Sequence, residues 1–406
     1  MSQRRDFLRF AGQSAVALLV GRRAFAQFTE EDLRLRVSLL LQEYDRQGTH
    51  RTGDRGDTVS AQWLITEIRK WRVRGTLEPF SFERVVPTDN SLQFRNKRID
   101  GVPLFDGTFT GPDGFFGKIG RPEDGTEVAL VRADDPQLEV LRRGGRHKAL
   151  VAVAPQASPG VALLDATSFA TPYGPPVLQV SNEQAAFLDE QAASQAGLKV
   201  VIDAVREPAE AFNVVARVPG RDPSLKPLVV HAGRSAWFRG TGERGGGLVC
   251  WIELLRALMT GRPLRDVLFA ATAGDELGHI GLQAFLSARP GLAKDAQAWL
   301  ALGESLGASR VDGTVLYASS AELAQRAAEI LAGGEVRVEE TITTQRPPGG
   351  MSLVHDAGGA YAVLIGRANA LARSSGDRWP QAVDVGDVLQ FARAFVKVGL
   401  ARAIEP

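Results

Sequence analysis

Cysteine occurs once, at Cys250, in a chain of 406 residues. Intramolecular disulfides and cysteine-based zinc or redox motifs are therefore excluded, and any metal site must be built from imidazole and carboxylate. Histidine is also scarce: His50, His147, His231, His279 and His355 are the whole supply. The formal net charge is only +1, with no basic stripe or acidic run, which argues against nucleic acid as a partner. No apolar run is long enough to span a bilayer. A Gly-x-Ser-x-Gly elbow, a phosphate loop and a dinucleotide fingerprint are missing too, so serine-hydrolase and nucleotide chemistry have no support.

What is present begins with a leader. Residues 1–26 combine a charged start, an apolar stretch from Ala11 to Val20 and a small-x-small end, Ala24-Phe25-Ala26. Arg4-Arg5-Asp6-Phe7-Leu8 resembles the twin-arginine export signal, which predicts a periplasmic or extracellular protein. The leader carries five arginines and one aspartate, so its removal leaves a mature chain of net charge −3.

The remaining length, with 44% hydrophobic residues overall, suits two medium domains or one large domain carrying an inserted module. Thr29 reads as an N-cap, followed by Leu33, Val37, Leu40 and Tyr44 at helical spacing, and Asp57 opens a second helix bearing Ala61, Leu64, Ile65, Ile68 and Trp71. Residues 108–208 change to short apolar strands, 127–133, 147–155 and 175–180, and Ser181 with Gln184 reads as a capping box. After residue 209, apolar strands alternate with helices over 247–259, 280–289, 320–331 and 385–403. That alternation predicts an α/β three-layer sandwich with a mostly parallel central sheet.

Ligands of such sheets bind beyond the carboxyl ends of the strands. There the sequence collects His231, Glu243 in the Gly-rich loop 241–247, the pair Asp275-Glu276, and Glu304. Four acids and an imidazole at one sheet edge form a set that a hard or borderline cation would bind. Cys250 lies within an apolar helix and His279 on a helix surface, while Trp237 and Phe238 lie in a loop where they either pack or line a pocket.

On these residues the segment from Phe212 to Gly307 resembles the clan MH two-zinc exopeptidases: aminopeptidases, with glutamate carboxypeptidases and glutaminyl cyclases as relatives. The matching stretches are His231-Ala232-Gly233, Glu243 to Gly247, Ile252 to Arg256, Asp275 to Leu282, and Glu304 before Gly307. Upstream, His50-Arg51-Thr52-Gly53 matches an N-terminal Arg-x-Gly segment, and residues 108–208 resemble a small β-rich protease-associated module. The resemblance implies a leader over 1–26, a zinc-exopeptidase-like domain over 27–107 and 209–406, and the insert between.

It also implies zinc, with His231, Glu243, Glu276 and Glu304 as ligands and Asp275 as general base on a shared water. The chain departs from the family pattern, however. Glu243 stands for a bridging Asp, Asp275 for a Glu, Glu304 for an Asp, and Gly233 for the Asp that would orient the histidine. In the segment Ala372 to Asp377, Arg373 falls at the second ligand histidine, and a guanidinium has no lone pair for a metal. Arg234, Arg244 and Arg373 could instead neutralise the acids, with Arg373 forming a bidentate pair to Glu276 or Glu243, leaving room for at most one ion. His355 is a weaker replacement ligand. Two readings follow: an exported relative with a degraded ligand set that keeps its pocket for a peptide or small molecule, or an active metal-dependent aminopeptidase. The insert is a candidate surface for a protein partner.

Overall fold

The computed structural model describes residues 30–404, so the leader and Thr29 lie outside the described residues. The strands, in chain order, are β1 (Gly75–Gln93), β2 (Arg98–Asp100), β3 (Val102–Pro103), β4 (Gly111–Gly120), β5 (Val128–Arg132), β6 (Ala149–Val153), β7 (Val177–Val180), β8 (Gly197–Val218), β9 (Leu228–Gly233), β10 (Val267–Thr272), β11 (Ala298–Leu302), β12 (Thr314–Ala318), β13 (Glu340–Ile342) and β14 (Tyr361–Gly366).

The central sheet runs β13-β12-β14-β11-β9-β10-β8, with β1 paired to β8. Its middle, β14-β11-β9-β10, is parallel, whereas β12 pairs β14, and β8 pairs β10 and β1, in antiparallel register. Side-chain alternation puts helices on both faces. Leu228, Val230 and Leu300 pack into the core beneath the helices Glu30–Arg46, Gly246–Gly261 and Val385–Ile404, while Val229, Trp299 and Ala301 pack towards Ile280–Ser287 and Met351–Asp356. Strands buried on both faces need continuous apolar sequence, which is why these runs read clearly.

Strands β4 to β7 are parallel neighbours with their own apolar cluster, centred on Ile119, Val128, Val151, Val180 and Val200. Leu92 and Ile99 also belong to it, and β8, 22 residues long, runs from this group into the central sheet. Two local expectations need correction. The second helix spans Arg55–Lys70 with Asp54 at its N-cap; Asp57 sits in its first turn, fully buried against Arg234. Ser181 accepts from the Glu183 amide at the start of a 3-10 turn, so the capping box with Gln184 does not form. Among the described residues no helix is long and apolar enough to cross a membrane.

Candidate functional site

The parallel strands deliver the predicted residues to one edge. His231 is the fourth residue of β9, Asp275 and Glu276 follow β10, and Glu304 follows β11. Glu243 arrives on Thr241–Gly245, a buried turn of π-helix leading into Gly246–Gly261. The glycines here are steric: a Cβ on Gly246 would lie 1.7 Å from the Leu306 carbonyl oxygen. Asp377 secures the turn by accepting the amides of Gly242 (2.5 Å) and Glu243 (2.9 Å).

Glu243 is engaged at both oxygens. Arg244 Nη2 lies 2.9 Å from Oε1, and the backbone amide of Arg373 donates to Oε2 at 3.1 Å. Arg244 also donates from Nε to the Ser235 carbonyl and stands 3.9 Å from Glu304, whose side chain is 40% exposed. Burial pushes the Glu243 carboxyl up to about 7, with Arg244 opposing. Arg244, itself buried, is held protonated by Glu243, Asp275 and Glu304.

Arg244, then, is the cation that neutralises the acids. The guanidinium of Arg373 points elsewhere: its Nη1 pairs with Asp165 at 3.2 Å, not with Glu243 or Glu276. Arg234 is also absent from the cluster, being paired with Asp57 at 2.8 Å with both side chains fully buried.

Glu276 accepts the Thr52 amide at 2.7 Å and the Ser235 hydroxyl at 2.6 Å. Burial, only partly opposed by these bonds, pushes it up to about 7. His231 Nε2 is hydrogen-bonded to Thr272 Oγ1 at 2.9 Å, which orients the ring, and burial pushes it down to about 4, neutral at pH 7. Gly233 has a specific use: a Cβ there would fall 2.8 Å from Asp275 Oδ2, so the Asp275 carboxylate occupies the space of a side chain at 233. Burial works against ionisation of Asp275, but Arg244, followed by His279, holds it at about 2. Its Oδ2 is buried with no hydrogen-bond partner.

The segment 163–166 runs across the cluster as a strap. Leu163 N–H donates to the Arg373 carbonyl, Ala166 N–H donates to the Glu276 carbonyl, and Asp165 meets both Arg373 and Trp237 Nε1. Trp237 is buried against Phe105. Sequence reasoning missed Asp165, Ser235 and the clamping role of Asp377; only Asp377 lay in a segment already singled out. His279 does not lie on a helix surface: it is the residue before Ile280–Ser287, in the left-handed region at φ 62°, with Nδ1 3.4 Å from Asp275 Oδ1. His355 is exposed and bonded to Tyr361, outside the cluster, and Cys250 is buried, which raises its thiol.

No family model and no curated protein matches the chain. Solved structures do. A zinc aminopeptidase from Bacillus subtilis superposes with a TM-score of 0.73 at 17% identity, covering 92% of this chain and 94% of that one. An aminopeptidase from Aneurinibacillus sp. strain AM-1 gives 0.69 at 13%, covering 95% and 96%. A peptidase M28 precursor from Shewanella amazonensis gives 0.73 at 13%, covering 97% of each chain. The chain therefore has the zinc-exopeptidase-like α/β fold of these aminopeptidases.

Proposed function

We propose that this is an exported protein of the zinc-exopeptidase fold in which an internal ion pair has replaced the two-zinc centre, leaving a strand-end pocket that binds a peptide or small molecule. One observation carries the reading: Arg244 lies 2.9 Å from Glu243, buried, beside Asp275 and Glu304. A guanidinium offers no lone pair to a metal and repels a cation, and Arg244 sits among the acids that zinc would need, so this set does not fit zinc. Glu243 and Glu276 each have a hydrogen-bond or ion-pair partner at both oxygens, and His231 Nε2 is bonded to Thr272, so the cluster is held together by contacts within the chain. Among the described residues no three His, Cys, Asp or Glu side chains converge as a metal-holding group. An already paired cluster does not need a divalent cation to offset its charge.

Residues 108–208, in this reading, are a protease-associated-like insert whose strap covers the pocket and whose outer face is open to a protein partner. The test is metal content on protein exported through its own leader, combined with an assay on aminoacyl chromogenic amides. Negligible zinc and no chelator-sensitive release are expected. About two zinc ions per chain, or amide hydrolysis abolished by chelator, would make the protein a working aminopeptidase and overturn the proposal.

A further inference from the structure

We propose that Asp275 and His279 form a metal-independent general base that activates water at the solvent-reached edge of this cluster, and that the compounds hydrolysed are carboxylic esters. This goes beyond the binding role proposed above.

Four observations support it. Asp275 is buried, and the absence of a side chain at Gly233 gives its carboxylate room, with Oδ2 left unpartnered. His279 Nδ1 lies 3.4 Å from Asp275 Oδ1, a separation of the kind that tightens when substrate binds. A non-glycine residue at φ 62° is held there at an energetic cost, and such strain gathers at functional sites. Finally, Gly349 and Gly350 cover the two imidazoles with backbone alone. A Cβ on Gly350 would lie 2.8 Å from Leu282 Cδ2, 3.6 Å from His231 Cε1 and 3.8 Å from His279 Nδ1, so the backbone packs close over both rings, and the His279 side chain keeps 22% exposure.

With Nδ1–H donated to Asp275, the lone pair of His279 is on Nε2. Nε2 takes a proton from water as the water oxygen bonds to the ester carbonyl carbon. Collapse of the tetrahedral adduct breaks the C–O bond to the leaving alcohol, whose oxygen takes the proton back from Nε2. Acid and alcohol are released, and the imidazole is regenerated without any co-reactant. General-base assistance supplies about 10² to 10⁴ in rate, sufficient for esters and too little for peptide amides. Asp275 is here a positioning residue.

The assay is hydrolysis of p-nitrophenyl acetate by the full chain in EDTA. His279→Asn is chosen because asparagine tolerates the left-handed region. It should lower kcat by about 10²-fold or more, the gain expected of a general base. Asp275→Asn should lower kcat with KM unchanged, and His355→Gln, on the exposed histidine away from the cleft, should retain the wild-type rate. Rates for His279→Asn or Asp275→Asn within about threefold of wild type, or no turnover above buffer, overturn the proposal. Should one variant misfold by circular dichroism, the other decides. Because EDTA is present throughout, the outcome is independent of the zinc measurement that tests the binding role.

Discussion

Replacing Glu276 with glutamine should change how the protein's stability depends on pH. Glu276 is buried and uncharged neighbours supply its hydrogen bonds, so its carboxyl moves from an ordinary 4.5 up to about 7. The folded state binds this proton more tightly than the unfolded chain does. The group's contribution is therefore fully present below pH 4.5 and is lost as pH rises through about 7. At 1.36 kcal/mol per pH unit, the gap amounts to about 3 kcal/mol, and the slope within the window is about −1.4 kcal/mol per pH unit. Glutamine has no such proton. It can still accept from Thr52, but its amide nitrogen faces Ser235 Oγ, which already accepts from Gly274 and Asp275. That mismatch costs about 1–3 kcal/mol at every pH, an offset without a slope.

Urea unfolding of wild type and Glu276→Gln at intervals from pH 5 to 8 separates the two effects. Glu243 and Asp377, both pushed up to about 7 by burial, contribute slopes of the same sign, but these cancel in the difference between the proteins. The difference should change by about 3 kcal/mol across the window in favour of the variant at high pH. Two curves displaced by a constant would refute the reasoning, because Glu276 would then ionise equally in both states.

Arg244→Leu leaves Glu243 buried and uncompensated and should cost about 3–5 kcal/mol by urea unfolding, whereas the double variant Glu243→Gln, Arg244→Leu should recover part of that loss. Gly233→Asp, which places an acid two residues after His231, should destabilise by at least about 2 kcal/mol, because its Cβ would fall 2.8 Å from Asp275 Oδ2; a neutral effect in thermal melts would show that Asp275 can move. Asp165→Asn removes a partly exposed pair and should cost less than about 1 kcal/mol overall. In hydrogen exchange the same change should loosen the strap, with the amides of Leu163 and Ala166 exchanging faster while the central strands keep their protection.

How much of this was legible in the sequence follows from which forces act locally. The strands around His231, Asp275 and Glu304 could be read because burial on both faces demands unbroken apolar runs, and their carboxyl ends fixed which polar residues would meet. The start of the second helix was misread at Asp57 because an acid three residues past Asp54 looks like a cap, when its reason for being there is Arg234, 177 residues away. Of the arginines the sequence offers to the acids, Arg244 reaches them and Arg373 does not, and this choice is non-local in the same way. Arg373 and Arg244 carry the same charge and lie near the same acids. The choice between them depends on Asp165, a residue of the strap with no motif around it, whose carboxylate draws Arg373 outward and leaves Glu243 to Arg244. Charge arithmetic along a chain can count the cations available to a cluster. Only the path of the backbone across the mouth of the site decides which of them reaches it, and in this protein that path belongs to the strap.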